Sequence, residues 1–355
     1  MNPSNPYKSL QNKTGLLVIA MLAYGILMAQ KPTEVKPVEL IPHPQDSVID
    51  VYIDGRPFTS YRYTHKLEKP VLYPIVSAHG KSITRGFPLE PRPGERIDHP
   101  HHVGLWFNYG DVNGLDFWNN SSAIASDQLI HYGKIFHDAY QIVEDQEGPA
   151  LKVQCTWKDH AGQALLKEST IFRFKKDRDA YVIDRLTTLE ALQEVSFEDN
   201  KEGVLGMRVA RELEMPSNKP DLFTDAQGNV TAIKVLDNTN VTGDYLSSEG
   251  LKGDAVWGTR GRWVRLAGTM EGMPVSIAII DHPDNVGYPT YWHARGYGLF
   301  AANPLGQAIF SEGKEALHFK LSKGESTTFK YRIVIQDNRE MTPQQIEQFV
   351  IDFTN

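Results

Sequence analysis

The sequence predicts an all-β protein, a large antiparallel β-sandwich with one short C-terminal helix, and three observations point to it. The dominant hydrophobic period is two, the apolar runs are short and closely spaced, and only one segment carries helix signals.

Alternation is clearest where Val153, Cys155 and Trp157 are interleaved with Lys152, Gln154 and Lys158. His160-Ala161-Gly162 then turns the chain into Leu166, Glu168, Thr170 and Phe172, the pattern of a hairpin. Further strands are expected from Val48 to Ile53, Leu72 to Val76, Val103 to Tyr109, Ala180 to Leu189, Val204 to Val209, Arg262 to Gly268, Val275 to Ile280 and Thr327 to Ile335. Gly, Pro, Asn and Asp clusters separate them, where a parallel α/β protein would need amphipathic helices. The end of the chain differs. Thr342 suits an N-cap, Pro343 the first helical position, and Gln345 follows the cap by three, so Pro343 to Phe353 reads as a helix opened by a capping box.

Near the start, Lys8 and Lys13 precede an apolar run from Gly15 to Ala29 that gives way to Gln30-Lys31-Pro32. This is the layout of a secretory signal cleaved near Ala29 or Gln30. The run is shorter than the ~20 residues of a spanning helix, and an uncleaved anchor is the alternative. No cysteine stands at the junction, which disfavours a lipid anchor. Residues 1–30 are thus expected to be a signal peptide and 31–355 a single sandwich domain, exported to the periplasm or the exterior and free of membrane once cleaved.

The formal charge is −7, and removing the two lysines of residues 1–30, which contain no acid, gives −7 − 2 = −9. That balance argues against a nucleic-acid partner. Cys155 is the only cysteine, so export brings no internal disulfide, and its alternation marks a buried strand residue rather than a nucleophile.

The densest chemistry lies in Asp98-His99-Pro100-His101-His102, followed by Gly104-Leu105-Trp106-Phe107-Asn108. Histidine titrates nearest neutral pH and is the commonest metal ligand, so three imidazoles beside a carboxylate and an indole suggest a site. The alternative is that they bond loop backbone. Other clusters share this composition: Thr84-Arg85-Gly86-Phe87-Pro88, Val112-Asn113-Gly114-Leu115-Asp116-Phe117-Trp118, Lys201-Glu202-Gly203 with Gly206 and Arg208, Asp281-His282-Pro283, Tyr291-Trp292-His293 and Asn303-Pro304.

As a set, these motifs resemble a family of exported bacterial proteins of unknown function that carries the label methane oxygenase or PmoA-like. The resemblance runs through nearly the whole chain after the leader. Val204 stands where family members often have a second glycine after Lys-Glu-Gly. The label implies a membrane oxygenase subunit with several long apolar helices, and no apolar run after residue 30 approaches ~20 residues.

The residue inventory suits a different chemistry. Sugars present hydroxyls for bidentate hydrogen bonds and C–H faces for aromatic stacking, so their sites gather Trp, Tyr, His, Asp, Asn and Arg. The layout is similar to the mutarotase-like super-sandwich shared by aldose epimerases and several lyases and hydrolases, a likeness of fold alone. A carbohydrate or other small polar substrate is therefore expected, with hydrolysis, elimination or epimerisation by acid/base catalysis.

In that scheme Glu202 is the acid or base, Arg208 tunes it or binds a substrate oxygen, and His101 or His293 moves the complementary proton. Substrate contacts are assigned to Arg85, Trp106, Asn108, Asp116, Trp118, His282, Trp292 and Asn303. The structural alternatives are an ion pair for Glu202 and Arg208 and core packing for each tryptophan. Two further schemes remain open. One is a divalent metal held by His99, His101 and His102, with Asp98 or Asp116 in support. The other is a glycan-binding module without catalysis.

Overall fold

The structure, a computed structural model, describes residues 36–355, and the expected signal peptide lies outside the described residues. The period-two pattern becomes two eight-stranded antiparallel sheets. The first sheet runs in the order Val38–His43, Val48–Ile53, Arg56–Arg62, Val71–Ile75, Leu105–Tyr109, Gly203–Arg208, Leu299–Asn303, Tyr291–Arg295. The second runs Asp244–Ser247, Trp263–Met270, Met273–Asp281, Ser326–Asp337, Ala180–Ala191, Ala164–Asp177, Gly148–Lys158, Lys134–Asp145.

The sheets face each other across one apolar core. Phe107 meets Trp157 and Phe329, while Phe58 meets Phe174 and Tyr181, each pair joining the two sheets. Cys155 lies in this core between Val153 and Trp157, as its alternation requires. Burying one face of each sheet fixes every strand's register, because a slip of one residue would turn its apolar side chains to solvent.

The expected helix spans Pro343–Thr354, with the Thr342 and Gln345 capping box formed. Its Ile346, Phe349 and Val350 cover Ala180, Val182, Trp263 and Ala278 on the outer face of the second sheet. The helix covers only that part of the face, and Lys152, Gln154 and Lys167 on the farther strands are exposed. The outer face of the first sheet carries a smaller apolar cluster, with Tyr73, Trp106, Trp118, Leu299 and Ala301, beside polar side chains such as Arg208 and His293, and the loops before Leu105 and Gly203 fold over it.

Candidate functional site

Trp106, Gly206, Ala301 and His293 occupy one cross-strand row of the first sheet. Facing residues in an antiparallel pair share a face, so all four look outward, as do Asn108, Arg208, Asn303 and Arg295. The intervening residues Phe107, Leu205, Phe300 and Trp292 look into the core. The row has bulk at its ends and small residues between. Gly206 is required there, since a Cβ would stand 2.5 Å from the Trp106 ring and 2.8 Å from Trp118.

The histidine motif is a turn laid over this face. Gly104 ends it at φ 58°, where a Cβ would strike the Leu72 carbonyl at 2.1 Å. His99 adopts φ 47°, a left-handed conformation that a non-glycine residue holds only when its surroundings enforce it. They do so through Asp98. Its Oδ1 accepts from Arg85 and from Arg208, both at 2.6 Å, and its Oδ2 accepts from His99 Nδ1 at 2.6 Å. Arg85 also donates to the carbonyls of Asp98 and His99 at 2.8 and 2.9 Å. Burial alone would raise the Asp98 carboxyl, but the His99 hydrogen bond and the Arg208 and Arg85 charges outweigh it and hold it well below the usual carboxylate range.

The tautomer of His99 follows from this contact. A carboxylate only accepts, so Nδ1 carries the proton and Nε2 is left free, on a side chain 40% exposed. The ring lies in a stack, parallel to Tyr297 at 5.2 Å on one side and to His102 at 4.8 Å on the other. His102 in turn stacks on Trp106 at 5.1 Å. Arg208 donates to His102 Nδ1 at 3.2 Å, which places the His102 proton on Nε2. Burial, then the neighbouring His101, holds His102 neutral.

A second pair stands on the same face. Glu202 Oε2 lies 3.8 Å from His293 Nδ1, and that nitrogen donates to the Lys201 carbonyl at 3.0 Å. His293 Nε2 is therefore its lone-pair nitrogen. Burial, with the Lys201 charge second, pulls this imidazole down to about 3, so it is a neutral hydrogen-bond acceptor at physiological pH. Lys201 Nζ contacts Glu202 Oε1 at 2.5 Å. Tyr297 stacks on His99 and lies within the field of Glu202. Its phenol is pushed up to about 12, chiefly by burial, with Arg208 opposing and Glu202 adding to the rise.

Several expectations need correction. Arg208 does not pair with Glu202, because Glu202 precedes the extended strand Gly203–Arg208 and Arg208 ends it, and its carboxylate partner is Asp98. His101 does not join Glu202 and His293; its ring packs edge-on to His99 and His102, at 5.5 and 4.3 Å, and burial keeps it neutral. Trp106 and Trp118 reach the site but are fully buried, so they offer no open face for stacking. Trp292 faces the core, where its indole donates to the Gly261 carbonyl at 2.9 Å. His282 follows the second-sheet strand Met273–Asp281 and packs on Phe353 at 5.0 Å.

Three polar residues turn out to brace loops. Asn108 donates to the Phe117 carbonyl at 2.6 Å, Asn303 to the Asn200 carbonyl at 2.8 Å, and Asp116 accepts from Asn119 at 2.8 and 2.7 Å. Arg85 braces the Asp98 loop. The metal set is not formed either. His99, His101 and His102 present ring faces and edges to one another rather than converging nitrogens, and among the described residues no three ligating side chains are arranged for a metal.

The sequence motifs did not include Tyr297 or Lys69, and Lys201 stood in one of them without a role. Tyr297 had a signal, an aromatic between Gly296 and Gly298 at a hairpin tip. Lys69 had none, since Lys66-Leu67-Glu68-Lys69-Pro70 looks like a charged turn.

Fold and site together define a β-sandwich protein with a polar, histidine-rich site on the outer face of one sheet. The chain belongs to the family of unknown function DUF6807, whose model matches residues 48–350. No curated protein matches it. Among solved structures it is similar to the GH36 α-galactosidase AgaB from Geobacillus stearothermophilus, at 10% identity and a TM-score of 0.39, covering 84% of this chain and 41% of that one. It is also similar to a galactose mutarotase related enzyme from Lactobacillus acidophilus, at 9% identity and a TM-score of 0.29, covering 86% and 99%. The chain thus spans about two fifths of the length of the α-galactosidase.

Proposed function

We propose that this is an exported protein that carries out acid/base chemistry on a sugar or oligosaccharide at the outer-face site. The observation that carries the proposal is the Asp98–His99 dyad. Two guanidinium groups fix the carboxylate, the carboxylate fixes the imidazole tautomer, and the imidazole is left with a free Nε2. A carboxylate that orients histidine in this way serves a proton transfer, because it stabilises the imidazolium that forms when Nε2 takes a proton.

His99 Nε2 would take a proton from a substrate hydroxyl or activated C–H, and Glu202 would handle the complementary proton. His293 Nε2, held neutral, would accept a hydrogen bond from a substrate hydroxyl. Asp98, Arg85 and Arg208 act through His99 and are positioning residues. Hydrolysis, elimination and epimerisation all use such a pair, and a screen of oligosaccharides and their oxidised or unsaturated derivatives separates them by product.

Glu202→Gln preserves shape while removing the titrating group. It is expected to leave the circular dichroism melt unchanged and to lower turnover by about 10²–10⁴-fold. Unaltered turnover on an identified glycan overturns the assignment. Calorimetric binding of a glycan by wild type with no product after long incubation would instead favour a binding module.

A further inference from the structure

A cavity of about 140 Å³ lies beside the histidine loop, with Lys66, Glu68, Lys69, His101, Asn120 and Ser121 in its walls, the Glu68 carboxylate being neutralised by Lys134 at 3.0 Å. None of Asp98, His99, Glu202 and His293 lines it. The ammonium of Lys69, a residue only 4% exposed, donates to the His101 carbonyl at 2.8 Å and rests 5.5 Å from the centre of the Trp106 ring. Among the described residues no carboxylate comes within 4.0 Å of it.

The two acids whose fields reach Lys69 are committed elsewhere. Glu68 pairs with Lys134 at 3.0 Å, and both Asp116 oxygens accept from Asn119. An ammonium buried without a counter-ion is costly, and an anion in the cavity would relieve that cost. The other walls add detail. His101 Nε2 is buried without a partner, and so is Asn120 Oδ1, an acceptor suited to a hydroxyl. Ser121 Oγ accepts from the Ala123 amide at 3.3 Å, leaving its own hydrogen to donate.

We propose that this cavity binds a hydroxycarboxylate group, its carboxylate on Lys69 and its hydroxyl on Asn120 Oδ1. The volume equals that of four to five waters at ~30 Å³ each, enough for a free acid of lactate size or the acid end of a sugar acid. The inference is independent of the proton-transfer roles of His99 and Glu202, and its test measures binding without turnover. Burial pulls the Lys69 ammonium down to about 7, so an anion that restores the charge is bound with proton uptake above that pH.

Calorimetry of the full chain at pH 8 with lactate, gluconate, acetate and glucose tests this. Lactate or gluconate should bind saturably with proton uptake, acetate about tenfold more weakly, and glucose not at all. Binding of gluconate alone identifies a sugar acid as the ligand, and binding of lactate alone a free small acid. Lys69→Met should abolish binding. Should that variant fail to fold, Asn120→Ala provides the second test, dropping lactate to the acetate level while sparing acetate. No saturable binding of any anion to wild type, or lactate affinity untouched by both variants, overturns the proposal.

Discussion

Two buried guanidinium–carboxylate networks can be compared within this one fold. Between the sheets, Glu168 accepts from Arg185 at 2.9 Å, Thr170 at 2.7 Å and Trp157 at 2.9 Å, and Arg185 Nε donates to Thr187 at 2.9 Å. Phe107 and Phe172 sandwich that guanidinium, each 4.9 Å away, and the adjoining void is only about 10 Å³. None of these polar side chains has a buried atom lacking a partner.

On the outer face, Asp98 also binds two guanidinium groups, yet Arg85 Nε, Arg208 Nε, His102 Nε2, Trp106 Nε1 and Trp118 Nε1 are buried without partners. The chemistry is the same and the closure differs. The first network is satisfied within itself, whereas the second leaves buried donors and an exposed imidazole over, which is what the proposed function uses.

The sharpest way to break this comparison is to open both networks. Glu168→Gln leaves the buried Arg185 without its carboxylate and is expected to cost about 3–5 kcal/mol in denaturant unfolding, while Arg208→Met leaves Asp98 still paired with Arg85 and is expected to cost less. They should part in function. Glu168→Gln keeps turnover per folded molecule, while Arg208→Met lowers it because Asp98, held by Arg85 alone, positions His99 less firmly. Equal turnover in both variants would make the outer network structural as well. A smaller effect is expected at Gly206, where alanine would press on Trp106 and Trp118 and cost about 1–3 kcal/mol. No change in stability would mean the indoles are not seated as described.

pH acts on the outer face through Asp98 and Lys69. Asp98 has a folded pKa below its unfolded one, so its contribution is present above the ordinary carboxylate range and is lost as pH falls from that range through the lower folded value. Lys69 is also depressed, from 10.5 to about 7, so between those values the unfolded chain binds a proton that the native chain lacks. Stability from Lys69 therefore rises with pH across that window, and Lys69→Met should flatten the rise in Tm. A parallel rise in the variant would assign the effect to other groups.

Much of this fold was legible. Val153, Cys155 and Trp157 alternate because one face of their strand is buried, and Thr342, Pro343 and Gln345 announce the helix through local hydrogen bonding. Strand order was not legible, since the pairing of Leu105–Tyr109 with Gly203–Arg208 joins segments about a hundred residues apart. The site followed the same division. Its motifs stood out by composition, but the Arg208–Asp98 bond spans 110 residues and has no local signature. Trp292 and His293 show a signal that was present and not used, because adjacent strand residues face opposite ways and both cannot line one site.

The account rests on His99 being held by Asp98 with its Nε2 free, and nitrogen-15 chemical shifts of the His99 ring across a pH titration measure that directly. The expected result is a neutral form protonated at Nδ1, with Nε2 gaining the second proton and the Asp98→Asn variant losing the preference. A neutral His99 protonated at Nε2 in the wild type would contradict it.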